Sequence, residues 1–221
     1  MKCNPPEETR GRLTLYDCDT APSPRRARIM LAEKGVKYAT VAVDLRNGEQ
    51  FREVYSAINP LCTVPALRTE DGLVLTDNAG IAAYLEARFP QPPLLGDTAP
   101  EKAEIASWNW RAEFEGLIAV MEALRNSSKT MIDRALPGSV RYAQIPQLVE
   151  RGLKRIDEFF TTLDRRLVGR EFLATDRFSV ADITAAVAVD FARAVHRVPG
   201  PQFPHLLRWR VALGQRTSFS L

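Results

Sequence analysis

The dipeptide Val64–Pro65 places a proline where a β-strand would be expected to begin. Proline lacks a backbone N–H, so it is excluded from central strands but tolerated at the first residue of a strand. Two conformations fit this position. A trans proline would simply open an edge strand. A cis bond, which X-Pro sequences permit at modest cost, would leave the N–H and carbonyl of Val64 unpaired by the sheet and able to pair with a peptide ligand.

Cysteine and histidine form no recognisable reactive site. The chain has an odd number of cysteines, Cys3, Cys18 and Cys62, and no two of them have a CxxC spacing. No apolar signal segment follows the N-terminus. We therefore expect free thiols in a reducing, cytoplasmic setting. His196 and His205 have no partner at ligand spacing, so we expect no metal. The sequence also suggests no Ser-His-Asp arrangement and no glycine-rich phosphate loop.

The composition is that of an ordinary globular protein. The 221 residues include 30 basic and 27 acidic side chains, interleaved along most of the chain, for a net charge of +3. This balance argues against a nucleic acid partner. The absence of any run of about 18 apolar residues argues against a membrane span. A chain of this length can build one large or two small domains, with a core that needs no disulfides.

The first part of the chain alternates short apolar runs with helical patterns. The predicted order is β-α-β-α-β-β-α, over Arg12–Asp17, Pro24–Lys34, Tyr38–Val43, Glu49–Ala57, Val64–Arg68, Leu73–Thr76 and Asn78–Arg88. Gly35 is placed to end the first helix, and Asp71–Gly72 is a hairpin signal. The strand–helix–strand spacing predicts a right-handed parallel crossover, with the hairpin adding an antiparallel edge.

Helices are predicted for the rest of the chain. Four prolines within Phe89–Pro100 indicate a linker. The predicted helices after it span Glu101–Arg125, Gln147–Leu167, Ser179–Arg197 and Phe203–Gln215. Ser179 to Asp182 fits a capping box at the start of the most apolar of these helices. The domain prediction is therefore an α/β domain over residues 11–89, a linker over 90–100 and an all-α domain over 101–221.

Several motifs in order resemble the glutathione S-transferase family. They are NPLCTVPAL at 59–67, DGLVLT at 71–76, the pair Asp77–Asn78, and the pattern A-x-I-x-x-Y-L-E at 79–86. The segments 113–127, 134–138 and 169–183 resemble a bacterial branch of the family, related to a fungal type that lacks the usual catalytic tyrosine. The resemblance covers roughly Arg12 to Arg216. It implies a thioredoxin-like N-terminal domain followed by an all-helical one.

The resemblance implies a glutathione site with glutathione as co-substrate. Pro65 would be a cis-proline and Val64 would pair its backbone with the cysteinyl part of the ligand. Asp77 and Asn78 would hold the γ-glutamyl end, helped by free N–H groups at the helix start. Asn78 could instead merely serve as an N-cap. Thr63 stands where the family commonly has glutamine, which would contact the glycyl part, and Cys62 stands where it commonly has glycine; both departures weaken the expected affinity.

Ser23 is the candidate catalytic residue, because a hydroxyl at a helix start could donate to a thiolate. Lowering a thiol pKa from about 8.5 to about 6.5 requires roughly 2.7 kcal/mol. A helix dipole supplies only about 0.3–1 kcal/mol, and a charge-assisted hydrogen bond of about 1.5–3 kcal/mol could supply the remainder. The alternative is an ordinary serine N-cap. Arg25 and Arg26 would fit either a nearby anionic ligand or ion pairs with Asp17, Asp19 or Asp44.

Two functions remain open at this stage. A glutathione transferase would let the glutathione thiolate attack a small hydrophobic electrophile held by Trp108, Arg111, Phe114 and Glu115, although each of these aromatic side chains fits a place in the core better than one in a ligand wall. A non-catalytic relative would act through protein binding, like the starvation proteins that bind RNA polymerase. Thiol transfer would need a reactive Cys18, which comes about six residues too early. The family also implies a homodimer.

Overall fold

The computed structural model describes residues 11–220, which form two compact units. One contains the described residues up to Pro90 together with Pro137–Val140. The other contains Gln91–Leu136 and the described residues from Arg141 onward. None of the helices in the described range is long and apolar enough to cross a membrane. Cys3 lies outside the described residues.

A four-stranded mixed sheet forms the centre of the first unit. Its strands are β1 (Thr14–Asp17), β2 (Ala39–Ala42), β3 (Ala66–Arg68) and β4 (Val74–Leu75). The order is β2-β1-β3-β4. Strands β1 and β2 pair in parallel, while β3 pairs antiparallel with both β1 and β4. The predicted parallel crossover and antiparallel hairpin are both confirmed, although β3 and β4 are shorter than the sequence pattern suggested.

Three helices belong to this unit: α1 (Pro22–Glu33) and α2 (Glu53–Ser56) lie between strands, and α3 (Asn78–Arg88) follows β4. Helix α1 begins two residues before the predicted start. Its last residue is Glu33, one before the predicted end, and Gly35 follows the cap with a φ of 62° in the left-handed region, as expected for the residue that ends the helix. The Gly35 N–H donates to the Ala32 carbonyl and the Val36 N–H to the Leu31 carbonyl, which satisfies the last turn. Tyr16, Val43, Tyr55 and Ala66 form a buried cluster.

The second unit is all helical. Its helices are α4 (Ala99–Arg111), α5 (Ile118–Ser127), α6 (Gln147–Arg166), α7 (Val180–Phe191) and α8 (Pro204–Gly214). A π-helical segment, Ala112–Leu117, joins α4 directly to α5. Two glycines allow close packing: a Cβ on Gly116 would lie 2.6 Å from the Phe159 ring, and one on Gly152 would lie 2.8 Å from the Ala119 carbonyl oxygen. The predicted arrangement of an α/β domain followed by a helical domain is confirmed.

Hydrogen bonds to the buried carboxylate of Asp182 hold the start of α7 in place. Asp182 is fully buried, and its carboxylate accepts hydrogen bonds from the Ser179 N–H and hydroxyl at 3.1 Å. It also accepts from the Leu173 N–H at 2.9 Å and the Trp209 Nε1–H at 3.1 Å. The predicted reciprocal cap is therefore present, and it also ties α8 and the preceding loop to the start of α7.

Candidate functional site

The Val64–Pro65 bond is cis, as the resemblance implies. Pro65 precedes β3, which begins at Ala66. Among residues 11–220, neither the N–H nor the carbonyl of Val64 has a hydrogen-bond partner. The main chain at Val64 is therefore able to pair with an extended ligand.

The backbone just before Val64 is held by two buried polar side chains. The Thr63 carbonyl accepts from the Tyr55 hydroxyl at 2.5 Å and from the Asn59 amide nitrogen at 2.8 Å. The same Asn59 nitrogen lies 3.1 Å from the Thr63 hydroxyl oxygen. Burial raises the pKa of Tyr55 well above its ordinary value, so its phenol remains a donor. Sequence reasoning missed Tyr55 and Asn59, although a polar asparagine before Pro60 in an apolar stretch was a usable signal.

Cys62 has a left-handed backbone, with φ of 54°. Its side chain is buried, and its N–H donates to the Asn59 carbonyl at 2.9 Å. Left-handed geometry is easy for glycine and unfavourable for most other residues. This explains in physical terms why glycine suits the position and why cysteine is a departure there.

The start of α3 has one capped and two uncapped backbone N–H groups. Asp77, not Asn78, is the N-cap: its carboxylate accepts from the Gly80 N–H at 2.8 Å. Asn78 is the first helical residue, which corrects the expectation that it could act as the cap. Within the described part of the chain, the N–H groups of Asn78 and Ala79 have no acceptor. Two free donors at the positive end of a helix suit a carboxylate.

Ser23 lies beside this end of α3. It is the second residue of α1, whose N-cap is Ala21, so the alternative interpretation of Ser23 as an N-cap is wrong. The Ser23 carbonyl accepts from the Asn78 amide nitrogen at 3.1 Å. The Ser23 hydroxyl oxygen accepts from Arg26 Nη2 at 3.3 Å. Sequence reasoning chose Ser23 but did not foresee that Arg26 would contact it.

The predicted ion pair of Asp17 is made by a different arginine. Arg28 Nη1 lies 2.6 Å from the Asp17 carboxylate, and both side chains are largely buried. Arg28 Nη2 also donates to the Asp19 carbonyl at 3.1 Å. Because α1 begins earlier than expected, Arg25 and Arg26 are its fourth and fifth residues. They lie just beyond the first turn of the helix. The helix dipole acts most strongly within that first turn.

The remaining candidates are the thiol of Cys18 and the side chains that could bind a metal. Cys18 follows β1 directly, and its sulfur lies 3.6 Å from the Thr20 hydroxyl. It precedes the start of α1 by four residues, so it lies outside the helix start, where a thiol-transfer cysteine would be expected. Over the residues that the structure describes, no group of three His, Cys, Asp or Glu side chains is arranged to hold a metal.

In the helical unit, Arg111 and Glu115 form a two-pronged ion pair. Arg111 Nε and Nη2 lie 2.9 and 3.2 Å from the two carboxylate oxygens. The pair lines a cleft of about 270 Å³ together with Arg155, Glu158, Phe159 and Thr162. Four charged side chains make this lining more polar than is typical of a small-molecule pocket. The cleft alone does not provide the hydrophobic wall that the predicted electrophile would need.

Trp108 and Phe114 occupy different environments. Trp108 is buried; its indole N–H donates to Glu104, and the Arg111 and Arg166 guanidinium carbons lie 4.4 and 4.9 Å from its ring centroid. Phe114, on the π-helical segment, is 46% exposed. It stacks on Trp110 with ring centroids 4.9 Å apart. Trp108 is thus part of the core, whereas Phe114 is accessible at the surface.

Two family models match the chain. The model described as "Glutathione S-transferase, N-terminal domain" matches residues 20–88. The model described as "Glutathione S-transferase, C-terminal domain" matches residues 120–216. The first match includes Ser23, Thr63, Val64 and the start of α3.

Individual proteins are similar over most of the chain. Glutathione S-transferase 2 of Saccharomyces cerevisiae is 32% identical, over 96% of this chain and 90% of that protein. Glutathione S-transferase Z1 of Arabidopsis thaliana is 28% identical, over 80% of this chain and 78% of that protein. The crystal structure of a glutathione S-transferase domain-containing protein from Marinobacter aquaeolei VT8 has a TM-score of 0.85 and 35% identity, covering 93% of this chain and 99% of that one.

Proposed function

The chain belongs to the glutathione S-transferase family, and on that premise we propose that it binds glutathione and transfers it to electrophilic small molecules. The observation that carries this proposal is the grouping of unpaired polar groups in the first unit. The Val64 main chain and the Asn78 and Ala79 N–H groups lack partners among the described residues. Ser23 is joined to the same end of α3 through Asn78.

Each part of glutathione has a complementary group. The cysteinyl backbone pairs with Val64 in the manner of an added strand. The γ-glutamyl carboxylate binds the Asn78 and Ala79 N–H groups, and Asp77 attracts its ammonium group. Thr63 is the residue nearest to Val64 that could contact the glycyl part. Its hydroxyl oxygen already accepts from Asn59, and its hydroxyl hydrogen remains available to donate to the ligand.

Ser23 acts on the sulfur. Its hydroxyl donates a hydrogen bond to the glutathione thiolate, which favours ionisation of the thiol, and the released proton goes to solvent. The thiolate then attacks an electrophilic carbon, forming a C–S bond as the leaving group departs with its electron pair. We expect Arg111, Glu115 and the accessible Phe114 to contact the electrophile, with Trp108 supporting them from the core. We also expect the active protein to be a homodimer.

The test combines ligand binding with turnover. Millimolar glutathione should raise the melting temperature, and chlorodinitrobenzene should be conjugated. Ser23→Ala should lower kcat/KM by about tenfold to a hundredfold, as expected for loss of a hydrogen bond to a charged group. Ser56→Ala is the matched control, because within residues 11–220 its hydroxyl hydrogen-bonds only to the Glu53 carbonyl, at 3.3 Å. No melting shift would favour the non-catalytic, protein-binding alternative, and an unchanged rate in Ser23→Ala would remove Ser23 from the mechanism.

A further inference from the structure

We propose that Tyr55 is a positioning residue that acts on glutathione through the peptide group joining Thr63 to Val64. This inference rests on the proposed function, in which the Val64 N–H donates to the cysteinyl carbonyl of the ligand. At the other end of the same peptide group, the Thr63 carbonyl accepts from the Tyr55 hydroxyl at 2.5 Å. Tyr55 can therefore affect the ligand without touching it.

The two ends of this peptide group face opposite ways. The Thr63–Val64 bond is trans, so its carbonyl and its N–H point to opposite sides of a planar unit. Holding the carbonyl oxygen on Tyr55 thus turns the Val64 N–H away from helix α2, and within residues 11–220 that N–H has no acceptor. Accepting a hydrogen bond also polarises the peptide group and strengthens its N–H as a donor, by about 10–30% per bond.

A second donor fixes the orientation of the same carbonyl. Asn59 is fully buried, and its amide nitrogen lies 2.8 Å from the Thr63 carbonyl oxygen. Its side-chain oxygen accepts from the Leu61 N–H at 3.0 Å, so the orientation of the Asn59 amide is set by its partners. A carbonyl held by two donors has little freedom to rotate, and the Val64 N–H is therefore preorganised for a ligand.

Tyr55 itself is held firmly in place. Only 3% of the residue is exposed, and it packs in the buried cluster with Tyr16, Val43 and Ala66. The Tyr16 and Tyr55 rings meet edge to face, with centroids 6.0 Å apart. Because burial raises the pKa of Tyr55, its phenol stays protonated and remains a donor at physiological pH. A single O–H donates to one acceptor, and the Thr63 carbonyl is that acceptor.

The experiment compares wild type, Tyr55→Phe and Tyr16→Phe by measuring the Kd of three ligands with isothermal titration calorimetry. Tyr16→Phe is the matched control: it removes a hydroxyl from the same cluster, and within the described residues that hydroxyl is buried and has no hydrogen-bond partner. The ligands are glutathione, γ-glutamylcysteine amide and γ-glutamylcysteamine. The last keeps the γ-glutamyl group and the thiol but lacks the cysteinyl carbonyl, which is the group proposed to accept from the Val64 N–H.

The loss of affinity should depend on the ligand. Tyr55→Phe should raise the Kd of glutathione and of γ-glutamylcysteine amide by about twofold to fivefold, the lower half of the range for one hydrogen bond, because Asn59 still holds the carbonyl. The Kd of γ-glutamylcysteamine should not change, and Tyr16→Phe should change none of the three. With chlorodinitrobenzene, Tyr55→Phe should raise KM for glutathione and leave kcat unchanged, since the contact is the same before and during the reaction.

Other results would overturn the proposal. An equal loss for all three ligands would show that the hydroxyl supports the fold rather than the Val64 contact, and no loss for any of them would remove Tyr55 from binding. If Tyr55→Phe does not fold, wild-type protein that binds γ-glutamylcysteine amide no more tightly than γ-glutamylcysteamine would still contradict the Val64 contact. Wild-type protein that binds none of the three would overturn the proposed function itself, whereas the other results leave glutathione binding in place.

Discussion

Cys62 shows how one residue beside the candidate site can carry backbone strain. A left-handed conformation costs a non-glycine residue about 1–2 kcal/mol. The neighbouring hydrogen bonds impose it: the Cys62 N–H is held by the Asn59 carbonyl, and the Thr63 carbonyl by Tyr55 and Asn59. The strain is therefore linked to the same contacts that present the Val64 main chain.

Substitutions at Cys62 should follow backbone geometry rather than side-chain size. Cys62→Gly should leave the free energy of unfolding within about 1 kcal/mol of wild type, since the relieved strain offsets the greater entropy of the unfolded chain. Cys62→Val should destabilise by at least about 1–2 kcal/mol, because a β-branched residue is especially unfavourable at positive φ. Urea unfolding measures both. A valine variant as stable as the glycine variant would contradict the assigned conformation.

The candidate site could be predicted from sequence where backbone rules decide it. Val64 and Pro65 were singled out because proline obeys local backbone rules, whereas the cis bond and the role of Asp77 and Asn78 were implied by the resemblance to the family. The N-cap was misplaced by one residue, as the competing candidates Asp77 and Asn78 are adjacent and both good caps. The contacts of Arg26 with Ser23 and of Asn78 with the Ser23 carbonyl could not be predicted, because they depend on how α1 and α3 pack together.

The start of α7 depends on the side chain of Asp182, which accepts four hydrogen bonds. Asp182→Ala would remove one acceptor and leave the Leu173 N–H and the Trp209 indole N–H unpaired in the core. Each buried unpaired donor costs about 1–3 kcal/mol, so we expect a loss of at least about 3 kcal/mol in the free energy of unfolding. Asp176→Ala, on the exposed loop before α7, is the matched control and should change stability little. Equal melting temperatures for the two variants would show that the cap contributes nothing.

The same carboxylate should give a pH-dependent stability. Burial raises the pKa of Asp182 to about 6, even though four hydrogen bonds act in the opposite direction. The group contributes most to stability below its unfolded pKa, about 3.9, and that contribution falls as the pH rises to about 6. The stability of wild type relative to Asp182→Asn should therefore fall by up to about 3 kcal/mol between pH 4 and pH 6 and then level off. Unfolding curves at several pH values test this, and a difference that grows over that interval would be contrary to the expected sign.

Helix and strand order was predictable because hydrophobic periodicity and capping residues are local signals. The predicted helix over Glu101–Arg125 is present as α4, the π-helical segment and α5. The π-helical turn itself has no sequence signature of this kind. It occurs where Gly116 packs against the Phe159 ring, which is a tertiary contact. The short lengths of β3 and β4 likewise reflect pairing within the sheet.

At the scale of the whole molecule, hydrogen exchange can show in which of the two compact units glutathione slows exchange. Glutathione at a hundredfold excess over its Kd should stabilise the folded state by about 2.7 kcal/mol. We expect hydrogen exchange to slow at residues 62–66 and at the first turn of α3, with little change in the buried helix α7. Protection concentrated in the helical unit instead would contradict the placement of the site. Asp77→Ala, which removes the group proposed to attract the ligand ammonium, should reduce the protection.

The two prolines at the start of α1 have a consequence for how such a protein can change over evolutionary time. In the proposed site, main-chain N–H groups at the start of α3 bind the ligand carboxylate, and every residue except proline retains such a group, so this contact would tolerate mutation. At the start of α1 those groups are largely absent, so in the proposed mechanism the sulfur depends on side chains such as Ser23. On this proposal a single codon change at α1 would alter reactivity while affinity for the tripeptide is preserved, which would make the chemistry the variable part of the site and ligand binding its constant part.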